Sequence, residues 1–128
     1  MNTFVDSFMR WKVAHGTEKS ELERQLVESY DVAWAQAKQD DKLAIIYFIT
    51  FAKIEEGFGL VLEAINSPKL WLADQGMTCL LILAMDGINL GPNVLAAVRV
   101  FKENFPSKQD ACEAIVRVFE SKGWPLKL

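Results

Sequence analysis

The sequence predicts an all-α protein. Apolar residues recur at spacings of three and four through most of its 128 residues. Most of the seven glycines and the four prolines fall between those periodic stretches, as turns joining short helices would require. The most apolar run, Leu43 to Ile54 (LAIIYFITFAKI), holds twelve residues with no glycine or proline, about twice the usual strand length. The expectation is one compact domain over residues 1–128, with six or seven helices packed as antiparallel α-α hairpins.

The Leu43 run is the central element. Its composition argues against helix, because Ile45, Ile46, Tyr47, Phe48, Ile49, Thr50 and Phe51 are β-branched or aromatic. Length and flanks decide for helix. Asp40 and Asp41 precede the run, where carboxylates favour the positive end of a helix dipole and accept unpartnered N–H groups. Gly57 and Gly59 follow as stop signals that either break or kink the helix.

Taken in order, the first helix is expected from about Thr3, its cap, to Ala14, with Phe4, Phe8 and Trp11 on its apolar stripe. His15-Gly16 ends it. The second runs from Thr17 or Ser20 to Lys38, and Ser20-Glu21-Leu22-Glu23 has the form of a capping box. Leu22, Leu26, Tyr30, Ala33, Trp34 and Ala37 make one apolar stripe, with Glu21, Glu28, Asp31 and Lys38 on the other face. The central helix spans Asp41 to Glu56, and a shorter piece Phe58 to Ile65. Asn66-Ser67-Pro68 predicts a start for a fifth helix reaching Met85, since proline suits the first helical position. Pro92 opens a sixth, to Asn104. Ser107, with Asp110 three residues on, caps a seventh over Lys108 to Lys122. Trp124 lies beyond, placed to fold back onto the core.

One internal echo is present. Val98-Arg99-Val100-Phe101-Lys102 recurs eighteen residues later as Val116-Arg117-Val118-Phe119-Glu120. Two amphipathic helices built from common residues explain it as simply as a repeat does, because helical repeats are usually about 33–47 residues long. The succession of short helices resembles HEAT-like α-α packing in general style.

Composition limits the function. Half the chain is apolar (51%), enough for a real core. No apolar stretch approaches the roughly 20 residues of a membrane span. The first ten residues lack the basic start and apolar core of a signal peptide. Cys79 and Cys112 lie within apolar helical patterns and read as buried thiols. These features together suggest the cytoplasm. Net charge is −3 with a pI near 5.2, which argues against nucleic-acid binding. Residues 1–40 carry −2, residues 41–90 carry −3 and residues 91–128 carry +2.

No catalytic, cofactor or metal site is expected. The one histidine, His15, sits at a helix end, where a structural role outweighs that of a general base. Two distant cysteines and one histidine do not make a zinc site. Glu56 and Glu63 would share a face if their helix were continuous, but glutamates there read as a solvated edge. Gly57-Phe58-Gly59 and Gly87-Ile88-Asn89-Leu90-Gly91 lack the context of a phosphate loop. The four tryptophans are spread one to a region and read as core.

Recognition of another macromolecule is then the expected role. The leading expectation is a small acidic inhibitor of immunity type that neutralises or stabilises one cationic protein partner. Its binding surface would come from Glu21, Glu28, Asp31, Asp40 and Asp41. In size and charge the chain resembles bacterial immunity proteins. A second expectation is a helical-repeat scaffold or accessory subunit that meets an acidic partner through Arg99, Lys102, Arg117 and Lys122. A third is a small-ligand binder or enzyme with a pocket of scattered residues. Leu126 and Leu128 could pack on the core or on a second copy of the chain, which leaves a homo-oligomer open.

Overall fold

The computed structural model describes residues 3–128, and every regular element among them is helical. The helices are α1 (Phe4–Val13), α2 (Gly16–Gln36), α3 (Gln39–Ala52), α4 (Phe58–Ile65), α5 (Leu70–Met85), α6 (Asn93–Asn104) and α7 (Gln109–Ser121). Two 3-10 turns, Glu55–Gly57 and Pro106–Lys108, lie between them. The all-α class and the seven helices are those the sequence predicts. The chain divides into two compact units, Met1–Gly57 and Phe58–Leu128.

In the first unit α3 is buried over most of its circumference, through Ala44, Ile45, Ile46, Phe48, Ile49 and Thr50. The aromatic stripe of α1 supplies much of the cover. Phe4 and Trp11 meet the Phe48 ring edge-on, at centroid distances of 6.0 and 5.2 Å, and Phe8 stacks on Phe51 at 6.4 Å. Thr50 is the one buried polar side chain among the described residues, and its hydroxyl donates to the Ile46 carbonyl one turn back at 2.7 Å. It therefore places no unpaired group in the core.

Helix α2 runs back along α1. Trp11 Nε1 donates to Glu23 Oε1 at 3.2 Å and Lys19 Nζ lies 4.7 Å above the Trp11 ring. At the other end, Thr3, Phe4 and Ser7 face Gln25, Leu26, Ser29 and Ala33. Thr3 caps α1 as expected: its Oγ1 accepts from Asp6 N at 3.1 Å, and Asp6 Oδ2 accepts from Thr3 N at 3.4 Å.

Several helix ends differ from the sequence expectation. α2 starts at Gly16, one residue before the expected Thr17 and four before its alternative Ser20, and Ser20 Oγ donates to the Gly16 carbonyl from inside the helix. Gly16 does take a left-handed φ of 58°, but it opens α2 and leaves Ala14 to close α1. Helix α3 ends at Ala52. Lys53, with φ 56°, takes the left-handed position expected of a glycine, and Ile54 N closes back on Ile49 O at 3.0 Å. The break therefore precedes both Gly57 and Gly59, and Glu56 and Glu63 do not lie on one continuous helix.

In the second unit α4 packs closely on α5 through Gly76. A Cβ there would lie 2.9 Å from Ile65 Cγ1 and 3.0 Å from the Ile65 backbone nitrogen. The core is built from Val61, Ala64 and Ile65, Leu72 to Ala84 on the inner side of α5, Val94, Ala97, Val98 and Phe101 on α6, and Cys112, Ile115 and Phe119 on α7. Trp124 does fold back, edge-on to Phe119 at 5.8 Å, and Trp124 N donates to Phe119 O at 2.9 Å. Pro68 lies two residues before α5, which starts at Leu70. Ser107 falls inside the 3-10 turn, so Lys108 stands at the N-cap of α7 without a side-chain bond. The turn formed by Pro106 displaces the capping position by one residue.

Two glycines give a stability test. Gly76→Ala should cost about 1–3 kcal/mol, because the backbone of α4 must move to admit the methyl group. Gly59→Ala, in an open helical position, should gain about 0.5–1 kcal/mol. Urea unfolding of both variants checks the pair, and equal losses would contradict the α4–α5 contact.

Candidate functional site

Charge is divided unequally between the two units. Met1–Gly57 holds ten acidic and seven basic side chains, and Phe58–Leu128 holds seven of each. The whole net charge of −3 therefore resides in the first unit.

Glu21, Glu28 and Asp31 are exposed on α2, on the face opposite the buried stripe of Leu22, Leu26 and Tyr30. Their spacings of seven and three keep them on one line. Arg24 sits between the two glutamates. Its guanidinium grips Glu21 with two nitrogens and donates from Nη1 to Glu28 Oε1 at 2.8 Å. The hydrogen bond from Arg24 holds the Glu21 carboxyl below its ordinary range, and the same two carboxylates hold Arg24 above its own. Asp31 Oδ1 accepts from Val32 N at 2.8 Å.

The other two expected residues lie elsewhere. Asp40 is exposed in the first turn of α3, beside a groove of about 420 Å³ lined by Thr3, Val5, Lys38, Gln39, Asp40 and Asp41. Asp41 is half-buried, and its Oδ1 accepts the Val5 amide of α1 at 3.2 Å. That amide is one of the first-turn donors a helix cannot satisfy internally. Asp41 thus caps a neighbouring helix, while the sequence placed it on an open acidic face. Arg24 is the contributor that the sequence reading missed. Its offsets of three and four from Glu21 and Glu28 were the available signal.

The basic residues of the second unit also separate. Arg99 Nη2 donates to the Lys127 carbonyl and Lys122 Nζ to the Met85 carbonyl, each at 3.2 Å. Lys102 and Arg117 instead line a groove of about 400 Å³ with Gln109, Cys112, Glu113, Val116, Leu126 and Leu128. Arg99 and Arg117, equivalent in the sequence echo, are both exposed, and Phe101 and Phe119 are both buried.

His15 is exposed at the N-cap of α2 and makes no capping bond with its side chain. Cys79 and Cys112 are buried, 0% and 2% exposed. Burial pushes the Cys112 thiol up, against a downward pull from Lys102 and with a further upward push from Glu113. Among the described residues no group of three or more His, Cys, Asp or Glu side chains is placed to hold a metal ion. Among the same residues no helix is long and apolar enough to cross a membrane. Comparison with family models, with curated proteins and with solved structures gives no match.

Tyr30 also shifts upward, first through burial and then through the carboxylates of Asp31 and Glu56. Both Tyr30 and Cys112 favour their protonated forms in the folded chain. Their contribution to stability is whole below the ordinary values, 10.0 for Tyr30 and 9.0 for Cys112, and is lost as pH rises through the folded values. The thermal midpoint should therefore fall as pH is raised from 8 to 11. Iodoacetamide at pH 8 should label both cysteines far more slowly in the folded chain than in urea. Fast native labelling would contradict their burial.

Proposed function

We propose that the protein is a non-catalytic binding module that captures one cationic protein partner on the outward face of α2. In this reading it acts in the cytoplasm as a small inhibitor of immunity type. The observation that supports it best is the line of Glu21, Glu28 and Asp31 on the more acidic of the two units, its two glutamates held by Arg24. Side chains already ordered lose less entropy on binding, and an acidic face speeds encounter with a cationic partner. The bonds from Arg24 are exposed and add little to stability, so a partner's arginine or lysine can compete for the same carboxylates. The paired helices are compatible with a HEAT-like style, in which successive helix pairs present an extended binding face. Buried cysteines fit a reducing compartment.

The test is a tagged pull-down from the native host at low and moderate salt, with the captured protein identified by mass spectrometry and then titrated in pure form. One stoichiometric partner, weakened by salt, is the expected result. Glu21→Lys, Glu28→Lys and Asp31→Lys together should weaken that complex by at least about tenfold. Asp41→Ala should instead lower stability by about 1 kcal/mol through the lost cap and leave affinity unchanged. Full binding by the triple variant would show that the partner uses another surface.

A further inference from the structure

The groove on the second unit lies between α6, α7 and the segment that follows α7. Its volume of about 400 Å³ falls within the roughly 300–1,000 Å³ usual for small-molecule sites. Its apolar surface comes from Cys112 and Leu126, both buried, and from Val116 and Leu128, both half-exposed. Lys102 enters from α6 and Arg117 from α7. Both cations are exposed, at the rim of the apolar floor.

The polar lining is unevenly satisfied. Glu113 Oε1 accepts from Gln109 Nε2 at 3.3 Å, one turn back on the same helix. Neither Lys102 nor Arg117 has a carboxylate within ion-pair distance or a hydrogen-bond acceptor among the described residues. The nearby Arg99 and Lys122 differ in this respect, since each donates to a backbone carbonyl. Two cations without partners beside an apolar floor complement a single anionic head on an aliphatic body. The Glu113 carboxylate on the same lining disfavours a doubly charged head such as a phosphate monoester.

We infer that this groove binds a linear aliphatic monocarboxylate, its carboxylate held between Lys102 and Arg117 and its chain lying along Val116, Leu126 and Leu128. The site is separate from the acidic face of α2 and does not depend on the proposal made for that face. Cys112 takes no chemical part, since it is buried beneath the groove. It serves as apolar floor.

The experiment titrates the full chain with octanoate, 1-octanol and octylammonium below their micelle concentrations, read by calorimetry and by amide shifts in NMR spectra. Octanoate should bind saturably, with the largest shifts at Val116, Arg117 and Leu126. Octanol and octylammonium should bind at least about tenfold more weakly, the difference that one or two charge-assisted hydrogen bonds make. Lys102→Glu with Arg117→Glu should lose at least the same factor for octanoate with an unchanged circular dichroism spectrum. Arg117→Gln, a milder change at an exposed position, should lose part of it. No octanoate binding, equal binding of all three compounds, shifts located away from this groove, or full binding by the charge-reversed variants would each overturn the inference.

Discussion

Burial of α3 beneath the aromatic side of α1 is the constraint on which the first unit depends. Helix α3 presents Ile45, Ile46, Phe48 and Ile49 at 0% exposure, and each such side chain contributes about 1.5–3 kcal/mol when removed from water. A helix apolar on nearly every side has no solvent face with which to orient itself, so its neighbours must do so. Phe4, Phe8 and Trp11 provide that orientation through ring contacts with Phe48 and Phe51. Asp41 reinforces it by joining the start of α3 to the Val5 amide of α1. Thr50 satisfies its hydroxyl on its own helix, so it ties α3 to no neighbour.

That arrangement determines which side chains are free to meet a partner. Glu23 receives the Trp11 indole and Asp41 caps α1, so both carboxylates serve the fold. Glu21, Glu28 and Asp31 point away from the core and carry no such duty. Helix α2 thus gives its inner face to packing and keeps its outer face for contact. In the second unit the cations divide in the same way: Arg99 and Lys122 close backbone carbonyls, while Lys102 and Arg117 face a groove. The number of charges in a unit says less about binding than the number that the fold does not spend on its core or helix ends.

The helical class was legible because periodicity and the spacing of glycine and proline are local properties of the chain. Reading α3 as helix succeeded because length outweighed its strand-like composition. Helix starts were less legible. Ser20, Pro68 and Ser107 each fit a starting motif, yet each lies away from the N-cap position, because a serine or proline motif competes with whatever the preceding turn permits. The break at Lys53 was hidden because lysine rarely takes a left-handed backbone, and two nearby glycines drew the expectation downstream. Of the acidic residues, the α2 trio was readable from helical spacing. The capping role of Asp41 was not, since its acceptor bond spans residues far apart in sequence and depends on how α1 meets α3.

Native-state hydrogen exchange followed by NMR tests the dependence of α3 on α1 most directly. If the aromatic side of α1 holds α3 in place, amides from Ile45 to Thr50 and those of Phe8 to Trp11 should exchange through one shared opening, with equal free energies and equal denaturant dependence. Trp11→Ala should lower both by the same amount. Protection of α3 that persists while α1 exchanges freely would contradict the constraint and place the cover of α3 elsewhere.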